Sequence, residues 1–175
     1  MSSQDYTILA YEGKTPILGK DVFIAAGVRL IGDLVLGDRA NIWFNSVIRA
    51  DVHYIRIGED TNIQDNSIIH VTTDKYPTII GNQVTVGHSA TLHACIISDL
   101  CLIGMGATLL DGCVIGCKSM VAAGSLVPPG REYPEESLIL GNPATVKRKL
   151  TRGEIDFLSL SAERYVKLAA KYSQT

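Results

Sequence analysis

The chain has no excess of charge of either sign: 16 lysines and arginines against 18 aspartates and glutamates leave a net charge of −2. Without a basic stripe, neither nucleic acid nor an anionic membrane surface is expected as its main partner. No apolar run approaches the roughly 20 residues that a membrane-spanning helix needs. The opening residues Met1-Ser2-Ser3-Gln4-Asp5 lack the basic start and apolar stretch of a leader, so a cytoplasmic protein is expected. The four cysteines, Cys95, Cys101, Cys113 and Cys117, include no Cys-x-x-Cys pair, which removes that redox or zinc motif. At 175 residues and 46% hydrophobic content, the chain is long enough for one domain, 1–175, with a proper core.

What the sequence does have is a period. Aliphatic or aromatic residues recur every sixth position at Ile24, Leu30, Leu36, Ile42, Ile48 and Tyr54. Two residues ahead of each stand Val22, Val28, Leu34, Ala40, Ser46 and Val52, and both columns read as inward-facing. After a three-residue insertion the phase resumes at Ile57, Ile63 and Ile69, and a five-residue insertion around Thr73 to Pro77 shifts it to Ile80, Val86 and Leu92. One residue is then lost, and the phase runs on through Ile97, Ile103, Leu109, Ile115, Val121 and Val127. Ahead of these last six sit the small residues Cys95, Cys101, Ala107, Cys113, Ser119 and Ser125.

A period of six is neither the 3.6 of a helix nor the 2 of an ordinary strand. It fits a parallel β-helix, in which each rung needs its neighbours to bury a core. From about residue 16 to 128 the chain resembles the left-handed form, a triangular coil of three hexapeptides; that handedness is an exception to the right-handed crossover rule and is implied by the resemblance alone. The expected class is therefore all-β with one C-terminal helix. The repeat stops at Pro128-Pro129-Gly130, so 129–150 is expected to be a return loop. A helix is expected over 151–173, opened by the capping-box pair Thr151 and Glu154. Its apolar face, Ile155, Leu158, Ala162, Tyr165, Ala169 and Tyr172, should pack on the prism. Asp5 to Thr15 should cover the open first coil. Cys95, Cys101 and Cys113 belong to the inward column as compact apolar side chains, while Cys117 should face out as the most reactive thiol.

The same arithmetic places the histidines. Corrected for the insertions, Ile48, Ile69 and Leu92 lie one coil apart, so Arg49, His70 and His93 form one outward column. Rungs are about 4.8 Å apart, close enough for two imidazoles to share an ion at a nitrogen distance of about 2.0–2.1 Å. His88 lies on the preceding face, stacked over Asp65. It can join the other two only from another subunit, and a threefold ring of prisms would make equivalent sites, because heterologous interfaces close into rings. His53, in the insertion after Val52, reads as a surface residue.

Arg49-Ala50-Asp51, Asn62-Ile63-Gln64-Asp65, Ile69-His70, Val86-Gly87-His88 and Leu92-His93 stand in the order and register of the γ-class carbonic anhydrases, which the chain resembles over nearly its whole length. The likeness extends to Gly104-Met105-Gly106-Ala107, the 124–129 segment and Gly141-Asn142-Pro143. Relatives of that family include ferripyochelin-binding proteins and accessory proteins of phenylacetate and carnitine pathways. The resemblance implies a homotrimer with zinc, or iron or cobalt, held by His70 and His93 of one subunit and His88 of the next. Three neutral imidazoles leave a position where water, its pKa lowered to about 7, attacks carbon dioxide as hydroxide. Gln64 matches the residue that hydrogen-bonds this water. Arg49 with Asp51, and with Asp65 across the interface, matches the charge cluster that stabilises the trimer, with Asn62 beside it.

Two features depart from the founding enzyme of the family. Val52 stands where that enzyme has a glutamate, and the acidic loop after the first histidine is reduced to Val71-Thr72-Thr73-Asp74-Lys75-Tyr76-Pro77. Asp74 and Tyr165 are then candidates for proton transfer, with His53 or Tyr76 standing level with Asp74. The alternative to an enzyme is a hexapeptide protein that binds a metal and a small carboxylate or thioester, with weak hydration or none. Hexapeptides alone would also fit a thioesterase or an acyltransferase.

Overall fold

A computed structural model describes residues 5–174. Met1–Gln4, read above for a leader, and Thr175 lie outside the described residues. Short parallel strands wind into a β-solenoid of about seven turns, closed by one C-terminal helix.

Three in-register columns of aliphatic side chains carry the core. One runs Leu30, Ile48, Ile69, Leu92, Leu109 and Val127, with the exposed Ile8 in register at its open end. The second runs Leu18, Leu36, Ile57, Ile80, Ile97, Ile115 and Tyr133. The third runs Ile24, Ile42, Ile63, Val86, Ile103, Val121 and Ile139. Each rung alone would expose its apolar side, so stacking is what holds the short strands together. Cys95, Cys101 and Cys113 are buried free thiols in this interior, and burial pushes the Cys101 thiol up to about 12.

Two expectations are corrected. Residues 129–150 are not a loop: strands form at Glu132–Tyr133, Ser137–Gly141 and Ala144–Lys149. Tyr133 and Ile139 keep the six-residue phase through the prolines, and only after Gly141, at φ 115, does the chain reverse into an antiparallel strand. Tyr54 is not an inward residue either. The three-residue insertion is taken up in the strand Val47–Ile57, whose register shifts opposite Gly32 and Leu34, so Ile55 takes the inward place and Tyr54 stacks under Arg56 at 4.7 Å. Cys117 is the least buried of the four cysteines, as expected of an outward thiol; it donates to Glu135, and that contact pushes it above its ordinary value.

Helix α1 (Arg152–Tyr172) opens on the expected capping box. Thr151 Oγ1 accepts from the Glu154 N–H, and the Glu154 carboxylate accepts from the Thr151 N–H at 2.8 Å and from both arms of the Arg148 fork at 2.8 Å. Leu158, Ala162 and Ala169 are buried as expected, and Ser161 joins them by bonding Thr85 at 3.1 Å. Tyr172 stays 46% exposed although its ring touches Phe23, Trp43 and Phe44.

Thr151→Ala is expected to destabilise the fold by about 1 kcal/mol in urea unfolding. The Arg148 fork, then Thr151, hold the Glu154 carboxyl at about 2, well below 4.5. A carboxyl lowered in the folded state contributes stability that is present above its unfolded value and lost as pH falls through the folded one. Amide protection factors in the first turn of α1, referred to the intrinsic exchange rate at each pH, should therefore fall between pH 4.5 and about 2. Glu154→Gln, which keeps a capping acceptor but loses the carboxylate, should remove this pH dependence.

Candidate metal centre

The strands Ile68–His70 and Thr91–His93 lie side by side with His93 directly opposite His70. Ile69 and Leu92 point into the core, so strand alternation turns both imidazoles outward on one face. His70 Nδ1 stands 3.1 Å from His93 Nε2. The other nitrogen of each ring is taken by a carboxylate: His70 Nε2 lies 3.0 Å from Asp51, and His93 Nδ1 lies 2.6 Å from Asp111.

That arrangement tests whether the residues suit a metal. Each ring donates its outer N–H to an aspartate, which leaves a lone pair on each of the two nitrogens that face each other. Two lone pairs at 3.1 Å repel unless a proton or a metal cation is shared between them, and a metal-binding pair presents the same two nitrogens. Nitrogens bound at about 2.0–2.1 Å to a tetrahedral ion stand roughly 3.3 Å apart, close to the spacing seen. A carboxylate behind the imidazole is also the usual support of a metal-binding histidine. Burial, opposed by Asp51 and reinforced by Arg49, holds His70 below its ordinary 6.5, which keeps the ring neutral. The donor set fits a borderline cation such as zinc.

His88 sits on the neighbouring face, just past the strand Thr85–Val86, with Nδ1 2.6 Å from Asp65. It thus repeats the imidazole–carboxylate pairing. Among the described residues, no group of three histidine, cysteine or acidic side chains within one chain is placed to hold a metal ion. Beside His88 lies a cavity of about 220 Å³ lined by Gln64, Met105, Ser161 and Tyr165, among others. Gln64 Nε2 donates to Asn62 Oδ1 at 3.1 Å, and Asn62 Nδ2 donates to Thr85 at 3.0 Å. With its amide hydrogen-bonded inward, Gln64 has its carbonyl oxygen left to accept a further bond.

The remaining candidates divide between the two faces. Arg49 pairs with Asp51, whose carboxyl burial would raise but which the His70 and Arg49 hydrogen bonds hold below 3.8. Within one chain Asp65 pairs with His88 rather than Arg49. Asp74, at a turn tip with φ 51, lines a recess of about 280 Å³ together with Asp51, Val52 and His53. Tyr165 lies edge-on to Trp43 at 5.5 Å, and burial followed by the charge of Asp65 pushes its phenol up, so it is a hydroxyl donor at neutral pH. Sequence reasoning missed Asp111. It follows Leu110, which lies one coil above His93, and occupies a corner where strand alternation no longer dictates side-chain direction.

Comparison with known proteins points the same way. The chain is 45% identical over 172 residues to the gamma carbonic anhydrase 2, mitochondrial, of Arabidopsis thaliana, covering 95% of this chain and 62% of that protein. It therefore spans just under two thirds of the length of that plant relative. Against a carbonic anhydrase of Geobacillus kaustophilus the identity is 46% over 165 residues, covering 94% and 90% of the two chains. A solved Bacillus cereus structure, described as a candidate acetyltransferase, superposes with a TM-score of 0.95 at 39% identity, covering 97% of this chain and 98% of that one. No protein-family model matches the chain. Hexapeptide columns, histidines on matching rungs and identities near 45% along nearly all of its length establish that this chain belongs to the γ-carbonic anhydrase family of hexapeptide-repeat proteins.

Proposed function

We propose that the protein is a carbonic anhydrase-like lyase that hydrates carbon dioxide at a metal shared between subunits of a homotrimer of left-handed prisms. His70 and His93 of one subunit and His88 of the next would hold zinc, or iron or cobalt in its place. The observation that carries this reading is the pair of facing ring nitrogens 3.1 Å apart, each ring backed by an aspartate. Relatives named carbonic anhydrases support the activity. Large apolar side chains stand exposed beside the two half-sites, Ile68 at 49% and Met105 at 61%, as a subunit contact would require.

When bound, such a metal supplies the Lewis acidity that brings a water's pKa to about 7. The chain's own residues do the rest. Gln64, held by Asn62, offers its carbonyl oxygen to orient the attacking water. Arg49 keeps Asp51 on His70 and reaches Asp65 across the interface, which ties subunit contact to ligand geometry. Asp74 behind Asp51 and Tyr165 beside His88 are the groups through which a proton leaves for solvent.

Acyl transfer is the competing chemistry, favoured by the description of the Bacillus cereus structure. Chelation separates the two. Stripping the metal with dipicolinate should abolish hydration, and zinc or cobalt should restore it. Hydration by the metal-free protein, or acyl transfer from coenzyme A thioesters that survives chelation, would overturn the proposal.

A further inference from the structure

The short segment after His70 closes on itself. Thr72 donates its N–H to the Tyr76 carbonyl at 3.1 Å, and Tyr76 returns an N–H to Thr72 at 3.4 Å. The turn is fastened to a rung two coils away: Thr72 Oγ1 donates to Asp111 Oδ2 at 2.6 Å. The Tyr76 ring rests on Gly112, at φ 69, where an added Cβ would come within 3.2 Å of the ring. Asp111 gives its other oxygen to His93 Nδ1 at 2.6 Å.

We infer that the 71–77 turn is a positioning element for His93, acting through Thr72 and Asp111. A carboxylate with one oxygen anchored presents the other in a single direction. Asp111 is 36% exposed and His93 34% exposed, so without Thr72 the carboxylate is open to water and the ring is free to turn. With Thr72 in place, His93 keeps its proton on Nδ1 and its lone pair on Nε2, aimed at His70. Asp51, behind His70, is anchored in the same manner by Arg49 and by the Val52 N–H at 3.0 Å. The turn thus does for one ligand what Arg49 does for the other. This inference rests on the metal reading above.

The test is titration of the metal-free 175-residue chain with cobalt(II), followed by visible absorption. Asp111→Asn should weaken cobalt affinity about 10–100-fold and change the absorption bands, as loss of a carboxylate behind a ligand does. Thr72→Val should weaken it within about tenfold, and Thr72→Ser, which keeps the hydroxyl, should bind like the parent. If Asp111→Asn fails to assemble, the Thr72→Val and Thr72→Ser pair carries the test alone. Parent-like affinity and spectrum in Thr72→Val, with His93→Ala unable to bind, would overturn the positioning role of the turn and leave the metal site standing. Parent-like binding by His93→Ala, or no binding by the parent chain, would overturn both.

Discussion

Subunits carrying His88→Ala and subunits carrying His93→Ala are each expected to purify without metal, and to regain about a quarter of their sites when unfolded, mixed in equal amounts and reassembled. The fraction follows from the geometry. Each proposed site takes His70 and His93 from one subunit and His88 from its neighbour, so each variant alone spoils every site in a homotrimer. In a random mixture a site survives when a His88→Ala subunit supplies the pair and a His93→Ala subunit supplies the third ligand, about one arrangement in four. Within one chain, His88 pairs with Asp65 on a different face from the His70 and His93 pair. A mixture of His70→Ala with His93→Ala should regain nothing, because both losses fall on the same subunit's pair. Metal counted per chain in the reassembled protein checks both outcomes, and equal recovery in the two mixtures would contradict the shared site.

Gly32→Ala should cost about 2–5 kcal/mol in urea unfolding, the sum of a left-handed backbone penalty and overpacking against a rigid neighbour. Gly32 holds φ 78, and an added Cβ would overlap the Ala50 carbonyl oxygen and stand 2.8 Å from the Ala50 carbonyl carbon. Both clashes are with backbone, so no side chain can swing away. Gly32 pairs with Ala50 where the register shifts to admit the insertion, and the next residue, Asp51, is the one that faces His70. The substitution should therefore weaken metal binding as well as stability. A variant within about 1 kcal/mol of the parent would show that the bulge yields easily.

The six-residue period made the three core columns legible, and counting through the insertions put His70 opposite His93 before any coordinates. Periodicity works here because every rung buries the same two positions. It failed where a local signal outweighed it. Pro128-Pro129-Gly130 reads as a stop, yet Tyr133 and Ile139 hold the phase and continue two faces. Tyr54 fell in the count because the position of a three-residue insertion within a strand is not fixed by spacing alone; pairing of Leu34 with Ile55 fixes it. Thr151 and Glu154 were legible because a capping box is local chemistry. Asp111 and Thr72 were not, since their contact joins residues 39 apart at corners, where alternation no longer fixes direction. In the proposed site, the other metal ligands of His88 belong to a second subunit, which no single chain's spacing can place.

Stopped-flow carbon dioxide hydration on anaerobically purified protein, with zinc, iron and cobalt counted in the same preparation, tests the central claim most directly. The rate should rise in proportion to metal bound per subunit and vanish at zero occupancy. Full occupancy by His70, His93 and the neighbour's His88 without turnover would contradict it.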